Sequence, residues 1–139
     1  MIRTKSIKLS IVILSLLTFI SASGIVFASN DNYGFTFHLK SKYRNSYSSA
    51  RYRQTSNEYN KWKVNLKYNS EGNGAIATFW LVRAKSKAVA SLTHDVKQGT
   101  GAHYYTATAA ASRTNVRLAA ENNNSSACTV AGYWDEETD

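Results

Sequence analysis

Residues 62 to 68, Trp-Lys-Val-Asn-Leu-Lys-Tyr, decide the fold class, because apolar and polar side chains alternate strictly along this stretch. Successive side chains of a β-strand point to opposite faces of a sheet, so the pattern predicts a strand with one buried face. The apolar residues from Trp62 to Tyr68 are predicted on one face, with Lys63, Asn65 and Lys67 on the other.

Similar signals extend through the rest of the chain. Residues 35–40 and 115–119 also alternate with period two, and 75–82 is apolar on both faces, which favours a central strand covered twice. Turn-forming residues at 69–74 and 98–101 separate such stretches. The remaining predicted strands are 88–94, 103–109 and 128–134, with 48–55 as a further candidate.

The spacing of these stretches predicts the architecture. Short strands that recur about every 8–12 residues, with turn signals between them, are typical of a sandwich or barrel. We therefore predict an all-β fold, a single antiparallel β-sandwich of about seven or eight strands. A short helical turn is left open at 109–112, where alanines follow one another.

The composition agrees with this fold class. The 139 residues include no proline, which would remove hydrogen-bond donors from the strand ladders. The only cysteine, Cys128, cannot form a disulfide within the chain, and we predict a buried, inert thiol rather than a link between two chains. The fold must then be stable through packing and hydrogen bonds.

The N-terminus has the layout of a secretory signal peptide. Basic residues precede an apolar block at 11–20, and the small or slender residues Val26 and Ala28 occupy positions −3 and −1 of a cut before Ser29. We predict cleavage between Ala28 and Ser29 and a secreted, extracellular protein. The alternative is an uncleaved membrane anchor, although the apolar block is shorter than the roughly 20 residues of a membrane span.

The predicted organisation is a signal peptide at 1–28, a β-sandwich domain at 29–134 and an acidic C-terminal tail at 135–139. The net charge of the whole chain is +8, and the segment from 40 to 67 contains eight basic residues and one acid. The basic residues are Lys40, Lys42, Arg44, Arg51, Arg53, Lys61, Lys63 and Lys67.

These basic residues are the candidate binding site. We predict that they meet an anionic surface of the cell envelope, a wall polymer or lipid, with only peripheral contact to a membrane. The alternative is a solvated face whose lysines protect an edge strand from pairing with another chain. A third possibility is that the tail at 135–139 folds back on the basic residues and masks them.

Catalytic patterns are weak in this sequence. His38, His94 and His103 are the only histidines, and none lies at metal-ligand spacing from another histidine or from cysteine. We therefore predict no enzyme, no catalytic residue, no metal and no cofactor. Basic and aromatic residues together also suit nucleic acid, but export from the cell argues against that partner.

Tryptophans form the second candidate site. Trp62, Trp80 and Trp134 either stack sugar rings on the surface or fill the core. Because a domain without disulfides depends on its core, the core interpretation is favoured for Trp62 and Trp80, and less so for Trp134, which borders the acidic tail.

Several stretches resemble a family of small exported proteins from Gram-positive bacteria that is known only as a domain of unknown function. The most specific is Gly-Tyr-Trp-Asp-Glu-Glu-Thr at 132–138. The others are 31–37, 50–55, 62–66, 115–118 and 120–124. The resemblance implies export and one compact domain, and it implies no catalytic or ligand-binding residue.

A looser likeness, in layout and in the aromatic terminal strand, is to lactococcin 972-type bacteriocins. That likeness implies a small cationic β-sandwich that acts on a cell-wall precursor lipid. The acidic tail at 135–139 and Cys128 depart from the pattern. The leading functional prediction is therefore a secreted, non-catalytic binding protein of the cell envelope or extracellular space, with a bacteriocin-like antagonist of cell-wall synthesis as the alternative.

Overall fold

Two antiparallel β-sheets pack against each other in the computed structural model, which describes residues 30–41 and 43–139. The predicted all-β sandwich is thus confirmed. The predicted signal peptide, its cleavage site at Ala28 and Ser29, and Lys42 lie outside the described residues.

Nine strands form the described part of the fold. They are β1 (Tyr33–Leu39), β2 (Ser46–Tyr47), β3 (Arg51–Arg53), β4 (Trp62–Asn69), β5 (Ile76–Arg83), β6 (His94–Lys97), β7 (Ala102–Tyr105), β8 (Thr114–Asn122) and β9 (Cys128–Asp135). One 3₁₀ turn at Ala109–Ala111 occupies the place where a helical turn was left open. No helix within residues 30–41 and 43–139 is long and apolar enough to span a membrane.

The strand order brings distant parts of the chain together. The first sheet has the strand order β1-β9-β4-β7, and the second has the order β2-β8-β5-β6. The short strand β3 also pairs with β8, nearer the start of β8 than β2 does. Every pairing between these strands is antiparallel. As a result, the C-terminal strand β9 lies between β1 and β4 rather than at an edge.

Tryptophans fill the core rather than the surface. Trp62 and Trp134 are fully buried between the sheets and pack with phenylalanines such as Phe79. Trp80 lies on the outer face of the second sheet, where it is buried in a small cluster that Tyr47 partly covers. The predicted double coverage of 75–82 is therefore correct, and so is the core interpretation of the three tryptophans.

The strand predicted over 88–94 is largely wrong. Val89 makes one isolated bridge to Val82, and the regular strand β6 begins only at His94. The ladder is interrupted because the backbone N–H of Leu81 donates to the hydroxyl of Ser91, at 2.8 Å, instead of to a backbone carbonyl. We call residues 84–93 the β5–β6 connection.

The alternation predicted for 62–68 holds as far as Leu66 and then fails. The pairing of β4 with β9 shifts register between Leu66 and Tyr68, so Lys67 forms a β-bulge. The extra residue turns Tyr68 outward, where it is 51% exposed, and brings Asn69 to the buried side. Tyr68 was predicted in the core, and that prediction is wrong.

Gly132 lies opposite Leu66 at this bulge, and we predict that alanine is not tolerated there. A Cβ atom at Gly132 would overlap the carbonyl oxygen of Asn65. Gly132→Ala should therefore lower the free energy of unfolding by about 2–3 kcal/mol in urea titrations, as overpacking does. Gly34→Ala is the control, because its Cβ would lie 3.9 Å from the nearest oxygen. Equal stability of the two variants would contradict the close approach.

Candidate functional site

The eight predicted basic residues do not form one face. The exposed ones lie in three separate places: Lys40 and Arg44 between β1 and β2, Lys61 just before β4, and Lys67 within β4. Lys42 is outside the described residues. Arg51, Arg53 and Lys63 are held by contacts inside the protein, which are described next.

Arg53 is buried and binds three backbone carbonyls. Its guanidinium donates to the carbonyls of Asn57, at 3.0 Å, and of Asn60 and Glu136. Burial lowers the pKa of Arg53, and the nearby carboxylates of Glu137 and Glu136 oppose this effect. A guanidinium keeps its charge under such conditions, so Arg53 is a structural cation that an external surface cannot reach.

Arg51 is half-buried between an aromatic ring and a carboxylate. Its guanidinium carbon lies 3.1 Å from the centre of the Tyr33 ring, and its Nε is 3.0 Å from the Glu136 carboxylate. The hydroxyl of Tyr33 donates to Asp31 at 2.5 Å, and this bond is the main reason why the pKa of Tyr33 is raised to about 12. Arg51 therefore joins the N-terminal and C-terminal segments.

The acidic segment at 135–139 is part of the sandwich and not a free tail. Asp135 ends β9, and Glu136 and Glu137 are buried. The Glu137 carboxylate accepts the backbone N–H groups of Gln54 and Thr55, each at 3.0 Å. The segment thus contacts the predicted site residues Arg51 and Arg53, which is what the masking alternative describes. It leaves Lys61 and Lys67 exposed.

The side chain of Lys63 lies on the face of β4 opposite to that of Trp62, as predicted, but it is buried. Its ammonium group donates to the side-chain oxygens of Asn30 and Asn32, the latter at 2.9 Å. The ring of Tyr133 is centred 5.6 Å from this nitrogen and 5.4 Å from that of Lys67. Of the two lysines, only Lys67 is open to an external partner.

A different group of cations surrounds an open cleft of about 890 Å³ at the end of β5. We call it the basic cleft. Its lining residues are Ala50, Arg83, Ala84, Lys85, Ser86, Thr114, Asn115 and Arg117. Three of these are basic and none is acidic, so the cleft concentrates positive charge in the way that favours an anionic ligand.

The backbone fixes the walls of the basic cleft. The N–H of Ala84 donates to the carbonyl of Asn115 at 2.8 Å, which joins the turn after β5 to the start of β8. Arg117 donates through Nη1 to the carbonyl of Ser48 at 2.6 Å. Its Nε is buried without a hydrogen-bond partner, so the guanidinium retains unused capacity for an acceptor.

Sequence reasoning missed this cleft, although the sequence contains a signal for it. Arg83, Lys85 and Lys87 follow one another at alternate positions, and residues 72–94 include no aspartate or glutamate. Lys87 does not line the cleft, and its ammonium group lies 4.4 Å from the centre of the Tyr47 ring. Arg117 is distant in sequence, and only the pairing of β5 with β8 brings it close.

Two of the three histidines, His94 and His103, stack on the same Tyr105 ring, and the ring centre of His103 is 6.2 Å from that of Tyr105. His94 stacks on Tyr105 with ring centres 3.6 Å apart, and burial lowers its pKa. His38 contacts Thr129, and His103 contacts Thr100. Within residues 30–41 and 43–139, there is no group of three or more His, Cys, Asp or Glu side chains that could hold a metal ion.

Cys128 is a free, buried thiol, as predicted. Burial raises its pKa, with a smaller contribution from the charge of Glu71. Thiols react as thiolates, so this environment makes Cys128 unreactive.

A comparison with protein families gives one match. Residues 24–138 match the family described as "protein of unknown function (DUF2712)". The chain belongs to this family. No curated protein and no solved structure matches the chain. The likeness to lactococcin 972-type bacteriocins is not confirmed, and the family description assigns no activity that would carry over.

We predict that Asp135 makes stability fall as the pH rises. Burial and the charge of Glu136 raise the pKa of Asp135 to about 7, above its ordinary value of 3.8. The folded state therefore binds this proton more tightly, and the stabilisation is present at low pH and lost as the pH passes through about 7. Asp135→Asn should remove that part of the pH dependence, which falls between the ordinary pKa of 3.8 and about pH 7, in urea unfolding.

The control for this prediction is Glu58→Gln, which removes one exposed carboxylate. The stability difference between wild type and Asp135→Asn should change with pH more than that between wild type and Glu58→Gln, because Asp135 is buried and Glu58 is exposed. Parallel curves for wild type and Asp135→Asn would contradict the raised pKa.

Proposed function

We propose that the protein is a secreted, non-catalytic binding protein that attaches to an anionic surface of the cell envelope through the basic cleft. The observation that carries the proposal is the convergence of Arg83, Lys85 and Arg117 on one open cleft that has no acidic residue in its lining. The proposal keeps the predicted class of partner but moves the main contact away from residues 40–67, since Arg51, Arg53 and Lys63 are held internally.

The charges of the cleft are sufficient for reversible attachment. A lysine or arginine near an anionic membrane surface contributes about 1 kcal/mol, and physiological salt screens the interaction beyond about 8 Å. Arg83, Lys85 and Arg117 line one cleft, and Lys87 follows two residues after Lys85 with its ammonium group over the Tyr47 ring. Exposed lysines elsewhere, such as Lys61 and Lys67, add to the long-range attraction rather than to the contact.

Arginine side chains give the cleft a preference among anions. A guanidinium presents donors in a planar fork that fits two oxygens of a phosphate or carboxylate group. Asn115, Ser86 and Thr114 supply neutral polar groups in the same lining. This arrangement supports binding of phosphate-bearing polymers or headgroups at the surface.

Secretion is part of the proposal and has its own test. The export signal at 1–28 should be removed, so N-terminal sequencing of the exported protein should begin at Ser29. A chain that still begins at Met1 in the membrane fraction would contradict this step.

The cleft is tested by matched double variants. Arg83→Gln with Lys85→Gln removes two cleft charges, and Lys61→Gln with Lys97→Gln removes two exposed charges elsewhere. We expect the cleft variant to lose about 10- to 30-fold in affinity for isolated cell walls or for phosphatidylglycerol vesicles in sedimentation assays. The control variant should lose less than about threefold. Equal losses would show that net charge alone drives adsorption, and the absence of any loss would exclude the cleft.

A further inference from the structure

The β5–β6 connection, which supplies Ala84, Lys85 and Ser86 to the lining of the basic cleft, also exposes two large aliphatic side chains. Leu92 is 73% exposed and Val89 is 61% exposed. Among the large aliphatic residues that are exposed in the described chain, the next is Ile76 at 38%. Single exposed apolar residues are common on protein surfaces, so exposure alone does not indicate a binding site. The indication comes from the residues that lie near this pair.

These side chains are held in place from below. Between them, Ala90 and Ser91 are buried, and the N–H of Ala90 donates to the carbonyl of Leu81 at 2.8 Å. The hydroxyl of Ser91 accepts the N–H of Leu81. Because the middle of the segment is fixed to β5, the backbone holds Val89 and Leu92 in positions where both side chains are largely exposed.

Cations lie on the same short segment. Lys85 and Lys87 belong to the β5–β6 connection, and Arg83 precedes it at the end of β5. The next acid along the chain, Asp95, accepts hydrogen bonds from Thr78, at 2.6 Å, and from Asn123. The segment thus combines uncompensated positive charge with exposed aliphatic surface.

We infer that the anionic surface is a lipid bilayer, with the basic cleft on phosphate headgroups and with Val89 and Leu92 inserted among the acyl chains near the interface. This inference rests on the proposed function. A hydrated wall polymer complements only the cations, whereas an anionic bilayer complements both the charges and the aliphatic pair. Interfacial binding of this kind gains from electrostatic attraction and from burial of apolar area.

The aliphatic pair is tested separately from the charges. Val89→Ser with Leu92→Ser should weaken binding to phosphatidylcholine vesicles that contain phosphatidylglycerol by about tenfold, and it should leave binding to isolated cell walls unchanged. Tyr59→Ser is the control, because Tyr59 is 80% exposed and belongs to a different loop. It should not change either affinity.

The depth of Leu92 provides a second, direct readout. Leu92→Cys labelled with an environment-sensitive fluorophore should shift to shorter wavelength on anionic vesicles and not on vesicles of phosphatidylcholine alone. Tyr59→Cys, labelled in the same way, should not shift. Cys128 is buried, so the introduced thiol is the one that reacts readily.

The outcomes separate the two proposals. If the serine variant binds vesicles like wild type and the Leu92 probe does not shift, the bilayer inference is wrong. The proposed function survives that result if the Arg83→Gln, Lys85→Gln variant still loses affinity for cell walls. If that variant binds both walls and vesicles like wild type, the proposed function itself is wrong.

Discussion

The buried guanidinium of Arg53 is the contact on which the rest of the structure depends. A charge without water around it is stable only when hydrogen-bond acceptors replace the solvent. Here the acceptors are backbone carbonyls from the loop before β4 and from Glu136, so one side chain fixes the position of two segments that are distant in sequence. The Glu137 carboxylate completes the arrangement by accepting N–H groups just after β3. In a domain without a disulfide, this hydrogen-bond network holds the C-terminal segment against the rest of the fold.

The same network also explains why some of the basic residues are held inside the protein while others are exposed. Arg51, Arg53 and the carboxylates after β9 neutralise one another inside the structure or near its surface. The cations that remain available are those in acid-free parts of the sequence, above all around the turn after β5. Which bases stay exposed therefore depends on which of them have internal partners, such as Glu136 for Arg51 or Asn32 for Lys63, and not on where bases are most frequent in the sequence.

The sequence predicted the architecture well because period-two patterns report burial directly. The burial of Trp62, for example, followed from side-chain alternation alone. The outward turn of Tyr68 could not be predicted, since a bulge depends on the partner strand and on the space left by Gly132. The same limit applies to the site. The fate of Arg53 depends on contacts more than 80 residues away, and the cleft depends on the pairing that brings Arg117 to the end of β5.

The interior position of β9 constrains the order in which this fold can form. Among the described strands, β1 pairs only with β9. The first strand of the sheet can therefore pair only after the last strand has been made. A chain that emerges N-terminus first cannot close its first sheet until nearly all of it has emerged. Such non-local pairing is slow, because the loop must be closed before any contact rewards the lost entropy.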